Sequence, residues 1–97
     1  MRKNSLKSTM INSEVMKAVS EIIRAEVKDP RVAPMTSVTD AEVTTDLKYA
    51  TIYVSVLGND EGAKKTLAGL KSSSGFIRKE LARMLNLRNT PELRFVL

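Results

Sequence analysis

The sequence predicts a two-layer α+β domain in which helices cover one face of a three-stranded sheet. Three observations predict it. Val15, Ala18, Val19, Ile22 and Ile23 recur at helical spacing, Tyr49 to Val56 alternates apolar with polar residues, and Ser72-Ser73-Ser74-Gly75 breaks one long helical pattern into two. A stripe on a helix and a face on a sheet must each be buried against something, and packing one on the other is the economical solution for a short chain. The expected order is helix, strand, strand, helix, kink, helix, strand. A single domain would span residues 11–97, after a flexible basic stretch at 1–10.

The first helix starts where Asn12 or Ser13 offers an N-cap oxygen, and its apolar stripe leaves Lys17, Glu21 and Arg24 toward water. Asp29-Pro30 ends it, because the residue before a proline is driven out of helical conformation. Pro34 keeps the connection extended. From Met35 to Thr44 a run rich in Val and Thr reads as a strand, with Thr39, Ala41 and Val43 on one face. Asp46 to Lys48 supplies a turn. In the next strand Ala50, Ile52, Val54 and Val56 form a buried face, alternating with Tyr49, Thr51, Tyr53 and Ser55.

Gly58-Asn59-Asp60 ends that strand, and Asn59 or Asp60 caps a helix carrying Ala63, Leu67 and Leu70. After the serine–glycine break the pattern resumes with Ile77, Leu81, Met84 and Leu85. Leu93, Phe95 and Leu97 alternate after Pro91 and give the third strand. The apolar ending reads as a chain cut short of a further C-terminal stretch.

Composition narrows the function. The 97 residues contain no cysteine and no histidine, so disulfide scaffolds, thiolate metal sites and histidine-based acid–base chemistry are all set aside. The carboxylates Glu14, Glu21, Asp40, Glu42, Asp46 and Glu80 are scattered, and neither a Walker loop nor a GxGxxG is present. The chain reads as a non-enzyme with no metal, cofactor or small-molecule substrate. No run approaches the roughly 20 apolar residues of a membrane span, and no signal peptide is apparent. A cytoplasmic protein that acts as a monomer is expected.

The net charge of +5 is unevenly placed: residues 1–34 carry +3, residues 35–62 carry −4 and residues 63–97 carry +6. The positive excess therefore belongs to the kinked helix pair and the segment after it, which points to an anionic partner. On a helical projection Lys79 and Arg83 share a face opposite Ile77 and Leu81, Arg78 flanks the apolar stripe, and Lys71 precedes the kink. The helix N-terminus at the break, with Gly75 beneath it, suits a phosphate. Each feature also has an ordinary reading. Lys79 and Arg83 can be a solvated face, and Gly75 can close one helix while serines cap the next. Phe76 can stack on a base or pack under a neighbouring loop. Tyr49 and Tyr53 can form an aromatic platform or a cross-strand structural pair.

Four segments resemble the ribosome-binding factor A family of bacteria: Ile23 to Val32, Asp46 to Ser55, Ser74 to Leu81 (SGFIRKEL), and Leu87 to Phe95 (LRNTPELRF). The resemblance spans about residues 11–97. It implies a type II KH-like domain, in agreement with the element order. KH domains ordinarily clamp nucleotides with a GxxG loop; the family that this sequence resembles looks different there, with an Ala-x-Gly kink in place of the loop, where this sequence has Ser73-Ser74-Gly75. The serine hydroxyl is expected to cap the second half-helix. The resemblance further implies a non-catalytic factor that binds the small (30S) ribosomal subunit, assists late 16S rRNA maturation and supports growth in the cold. Lys71, Arg78, Lys79, Arg83 and Arg88 would neutralise phosphates, while Ser73 and Gly75 would shape the backbone approach. Two other readings of the residues are a helix-turn-helix DNA binder formed by Ala63–Lys71 and Phe76–Leu87, and a basic protein-interaction module.

Overall fold

A computed structural model describes residues 6–97. Its elements follow the expected order: α1 (Leu6–Glu26), β1 (Thr36–Val43), β2 (Tyr49–Val56), α2 (Asp60–Ser72), α3 (Ser74–Met84) and β3 (Glu92–Val96). β2 is the central strand, antiparallel to β1 and parallel to β3. The parallel pairing requires a crossover, and the bent pair α2–α3 is that crossover. Ala41, Ala50, Ile52, Val54, Leu93 and Phe95 form the inner face of the sheet. Val15, Val19 and Ile22 of α1, Leu70 of α2, and Ile77 and Leu81 of α3 close over them, all fully buried.

α1 begins earlier than its apolar stripe suggests. Asn12 lies inside the helix and is no N-cap; its side-chain oxygen instead accepts from the Val43 amide at 2.9 Å. A short polar side chain on a buried face serves a strand end as readily as a helix end, and the sequence alone does not choose between them. Leu6–Met10, expected to be flexible, form the opening turns of the helix, while residues 1–5 of that stretch lie outside the described residues.

β1 departs from simple alternation. Its register with β2 shifts between Val38 and Asp40, so Val38 pairs with Val54 and Ala41 with Ile52. Thr39 is the extra residue, and it is exposed. A β-bulge reverses the facing of everything beyond it, which is why the inner face reads Val38, Ala41, Val43 rather than Thr39, Ala41, Val43. β2 buries Ala50, Ile52 and Val54 as expected, while Val56 at its end is only half-buried and lies outside the core. In β3 Leu93 and Phe95 are buried, whereas Leu97 falls beyond the strand and is exposed. Leu85 likewise falls outside its helix, with extended backbone angles (φ −118°, ψ 134°), while still packing on the core.

Two loops are fastened from within. In the α1–β1 loop, Asp29 accepts from the Arg31 amide at 2.9 Å and pairs with the Arg31 guanidinium at 2.6 and 3.0 Å. That loop lies against α2, where the buried Thr66 hydroxyl accepts from the Ala33 amide and donates to the Arg31 carbonyl. Gly69 makes the approach possible: a Cβ there would lie 2.9 Å from Val32 Cγ2 and 3.2 Å from Arg31 Cβ. In the β1–β2 turn, Asp46 accepts from the Thr44 hydroxyl at 2.7 Å and from the Lys48 amide at 3.1 Å. Leu47 takes a left-handed conformation (φ 61°) with its side chain buried. That conformation costs a non-glycine residue roughly 1–2 kcal/mol, offset here by burial and by the Asn89 side-chain amide donating to the Leu47 carbonyl at 2.9 Å.

Candidate nucleic-acid interface

α2 opens on Asn59, whose side-chain oxygen accepts from the Gly62 amide at 2.8 Å, the capping geometry that satisfies one orphan donor. Its last turn meets α3 through a single residue, Ser73 (φ −92°, ψ 1°). The Ser73 amide bonds back to Gly69 and Leu70 at 3.0 and 3.1 Å, and its carbonyl accepts from the Ile77 amide at 2.9 Å. One residue in the bridge region therefore bends the axis while both helices keep their ladders. The Ser73 side chain makes no capping hydrogen bond, contrary to expectation; the backbone alone makes the joint. Nor does Gly75 need glycine for its φ, since Gly58 is the positive-φ glycine among the described residues. A Cβ at Gly75 would meet nothing within 4 Å. No atom of the chain requires glycine there, and the backbone is bare on its outer side.

Gly75, Arg78, Lys79, Ala82 and Thr90 line one shallow depression beside the joint. Three of the expected site residues are thus brought together. Lys71, Ser73, Arg83 and Arg88 do not line it. Lys71, Arg83 and Arg88 are exposed outside it, with Ser73 half-buried at the joint. Arg78 has a second task, donating through Nε and NH2 to the Thr90 carbonyl at 3.2 and 2.8 Å. It ties the segment after α3 to the helix and builds one wall of the depression. Arg83 pairs with Glu80 at 3.7 Å, an exposed arginine against a mostly buried carboxylate. Among the described residues Lys79, Lys71 and Arg88 have no ion-pair partner.

Sequence reasoning missed Ala82 and Thr90. Ala82 was within reach, because it stands seven residues after Gly75 and four after Arg78, in register with both. Thr90 comes from a segment with no period and is placed only by Arg78. Phe76 is 43% exposed. The two tyrosines behave as structural residues: Arg94 lies 3.9 Å from the Tyr49 ring centre, and the Tyr53 hydroxyl donates to Glu42 at 3.1 Å.

The remaining electrostatics are local. The Arg31 side chain, then its amide, hydrogen-bonds Asp29 and holds its carboxyl down to about 2. The Thr44 hydroxyl and then the Lys48 amide lower that of Asp46. Both groups serve turns. Among the described residues no set of three His, Cys, Asp or Glu side chains is grouped to hold a metal, and no helix is long and apolar enough to cross a membrane. The single residue between α2 and α3 also leaves no room for the three- or four-residue turn of a helix-turn-helix unit.

A three-stranded sheet covered on one face by a helix and a bent helix pair, in the order α-β-β-α-α-β, defines a KH-like domain of type II. Its basic depression sits at the bend of the pair. The chain belongs to the ribosome-binding factor A family, whose model matches residues 7–97. Ribosome-binding factor A of Lachnospira eligens is 60% identical over 97 residues, covering 100% of this chain and 75% of that relative. The crystal structure of ribosome-binding factor A from Thermus thermophilus superposes with a TM-score of 0.80 at 25% identity, over 92% of this chain and 93% of that one. A homology model of the Thermus thermophilus factor, as fitted into the cryo-EM map of a 30S–RbfA complex, matches with a TM-score of 0.70 at 27% identity, over 87% of each chain.

Proposed function

We propose that this chain is a non-catalytic factor that docks the outer side of its helix joint onto 16S rRNA of the small (30S) ribosomal subunit. In this reading it assists late maturation of that RNA, including in the cold, and acts as a cytoplasmic monomer. The observation that carries the reading is the depression of Gly75, Arg78, Lys79, Ala82 and Thr90, where bare backbone and unpaired positive charge coincide. Phosphate contacts of this kind fix position and orientation without reading sequence. Family membership and the relative fitted into a 30S complex support the choice of partner.

The mechanism is electrostatic. Lys79 neutralises a phosphate that lies against the backbone at Gly75, and Lys71, Arg83 and Arg88 extend the field around it. Residues 35–62, which supply β1 and β2, carry −4 and are the part of the chain that RNA phosphates repel. Purified small subunits should bind this chain with log K falling by about 0.7–0.9 per decade of salt for each phosphate neutralised. Reversing Lys79 and Arg83 together (K79E with R83E) should abolish co-sedimentation at moderate salt. Binding indifferent to salt, or unchanged by the double reversal, would refute the interface. Growth in the cold and processing of 16S rRNA, measured in cells that depend on this chain, test the maturation role.

A further inference from the structure

Phe76 is the one large aromatic side chain of α3, and the helix does not bury it. Its neighbours Ile77 and Leu81 are fully buried, yet 43% of Phe76 is exposed. Phenylalanine is a poorer helix former than the alanine, lysine or glutamate that an exposed helical position usually carries, so neither core packing nor local propensity accounts for it. Tyr49, the other exposed aromatic ring, is already covered by Arg94. No cation covers Phe76 among the described residues.

Its surroundings are specific. Phe76 directly follows Gly75, the bare end of the depression. At about 100° per residue, Lys79 stands about 60° around the helix from Phe76, and Arg83 stands nearly above it two turns on. Lys79 thus separates the ring from the depression, with a cation on one flank and Arg83 along the axis. The one carboxylate of α3, Glu80, is largely buried and paired with Arg83.

We propose that Phe76 is a stacking platform for one unpaired nucleobase of single-stranded RNA, whose adjoining phosphate is held at Gly75 and Lys79. This rests on the RNA-binding reading above and adds to it a contact with a base. The depression supplies charge for a phosphate and the ring supplies a π-face, the two parts from which single-strand binding sites are built. The stack selects for an unstacked base and not for its identity, since every base has a π-face.

The sequence has no tryptophan, so Phe76→Trp places a sole reporter on the platform. A single-stranded adenosine octamer should quench its emission, whereas inorganic polyphosphate should bind with no quenching. Phe76→Leu should weaken the octamer about five- to 150-fold, the range that alanine replacement of aromatic stacking partners of bases gives. It should leave polyphosphate affinity and melting temperature unchanged, and Phe76→Tyr should restore octamer binding. If Phe76→Leu binds the octamer as the parent does while K79E with R83E does not, the platform is refuted and the interface stands. Equal quenching by polyphosphate also refutes the stack. If the unaltered chain binds neither the octamer nor small subunits, the interface itself falls and the platform with it.

Discussion

Gly69 and Gly75 lie six residues apart, on either side of the bend in one helix pair, and they are glycine for opposite reasons. At Gly69 the chain itself fills the space, because Val32 and Arg31 press against the helix. At Gly75 nothing of the chain comes near. The inner side of the pair is spent on folding: Thr66, Gly69 and Leu70 lock α2 to a loop and to the sheet, and Ile77 and Leu81 fill the core. The outer side carries Gly75, Lys79, Ala82 and Arg83, with few internal obligations. A residue type conveys little until its side of the helix is known.

The comparison is broken most forcefully from inside. Leu81→Ala removes a fully buried side chain and should cost about 2–5 kcal/mol, read by denaturant unfolding. Next, Thr66→Val leaves the Ala33 amide without its acceptor and should cost about 1–3 kcal/mol. Neither change touches the outer side, so charge-dependent binding should survive in whatever fraction remains folded.

The two glycines give the sharpest contrast. Gly→Ala inside a helix gains up to about 1 kcal/mol from propensity. At Gly69 a new Cβ must displace a stiff β-branched side chain and a loop Cβ, and overpacking of that kind costs about 1–3 kcal/mol. Gly69→Ala should therefore be net destabilising, by about 1 kcal/mol. Gly75→Ala meets no atom and should raise the melting temperature slightly while weakening small-subunit binding. Stabilisation at both positions, or binding untouched at Gly75, would erase the distinction.

The smallest effect is in pH. Asp29 titrates at about 2 in the folded chain against an ordinary 3.8. A depressed carboxylate contributes stability that is present above its unfolded value and lost as pH falls through the folded one. Melting temperatures compared at pH 6 and pH 2 should thus fall further for the unaltered chain than for Asp29→Asn. Arg31 is exposed, so added salt should reduce the difference.

How much of this was legible beforehand follows from the kind of signal each feature leaves. The stripe of Val15 to Ile23, the alternation of β2 and the break before Gly75 are periodic, and periodicity is local. They determined the element order, the buried faces and the location of the positive charge in the last third of the chain. The bulge at Thr39, the left-handed Leu47 and the inward turn of Asn12 leave no periodic trace, because each is imposed by a partner distant in sequence. The same division runs through the candidate site. Lys79 and Gly75 were readable from helical spacing, while Thr90 became its wall only through Arg78.

By itself, then, the sequence determined which faces are apolar, where charge accumulates and where one helix must bend, since these depend on residues within a few positions of one another. Only the tertiary structure decided that Gly69 faces a loop and Gly75 faces open space, that Arg78 holds the rim of the depression, and that Phe76 keeps a large part of its surface exposed. Those outcomes depend on which distant segments come to lie against each side of the helix pair, and spacing along the chain does not encode that.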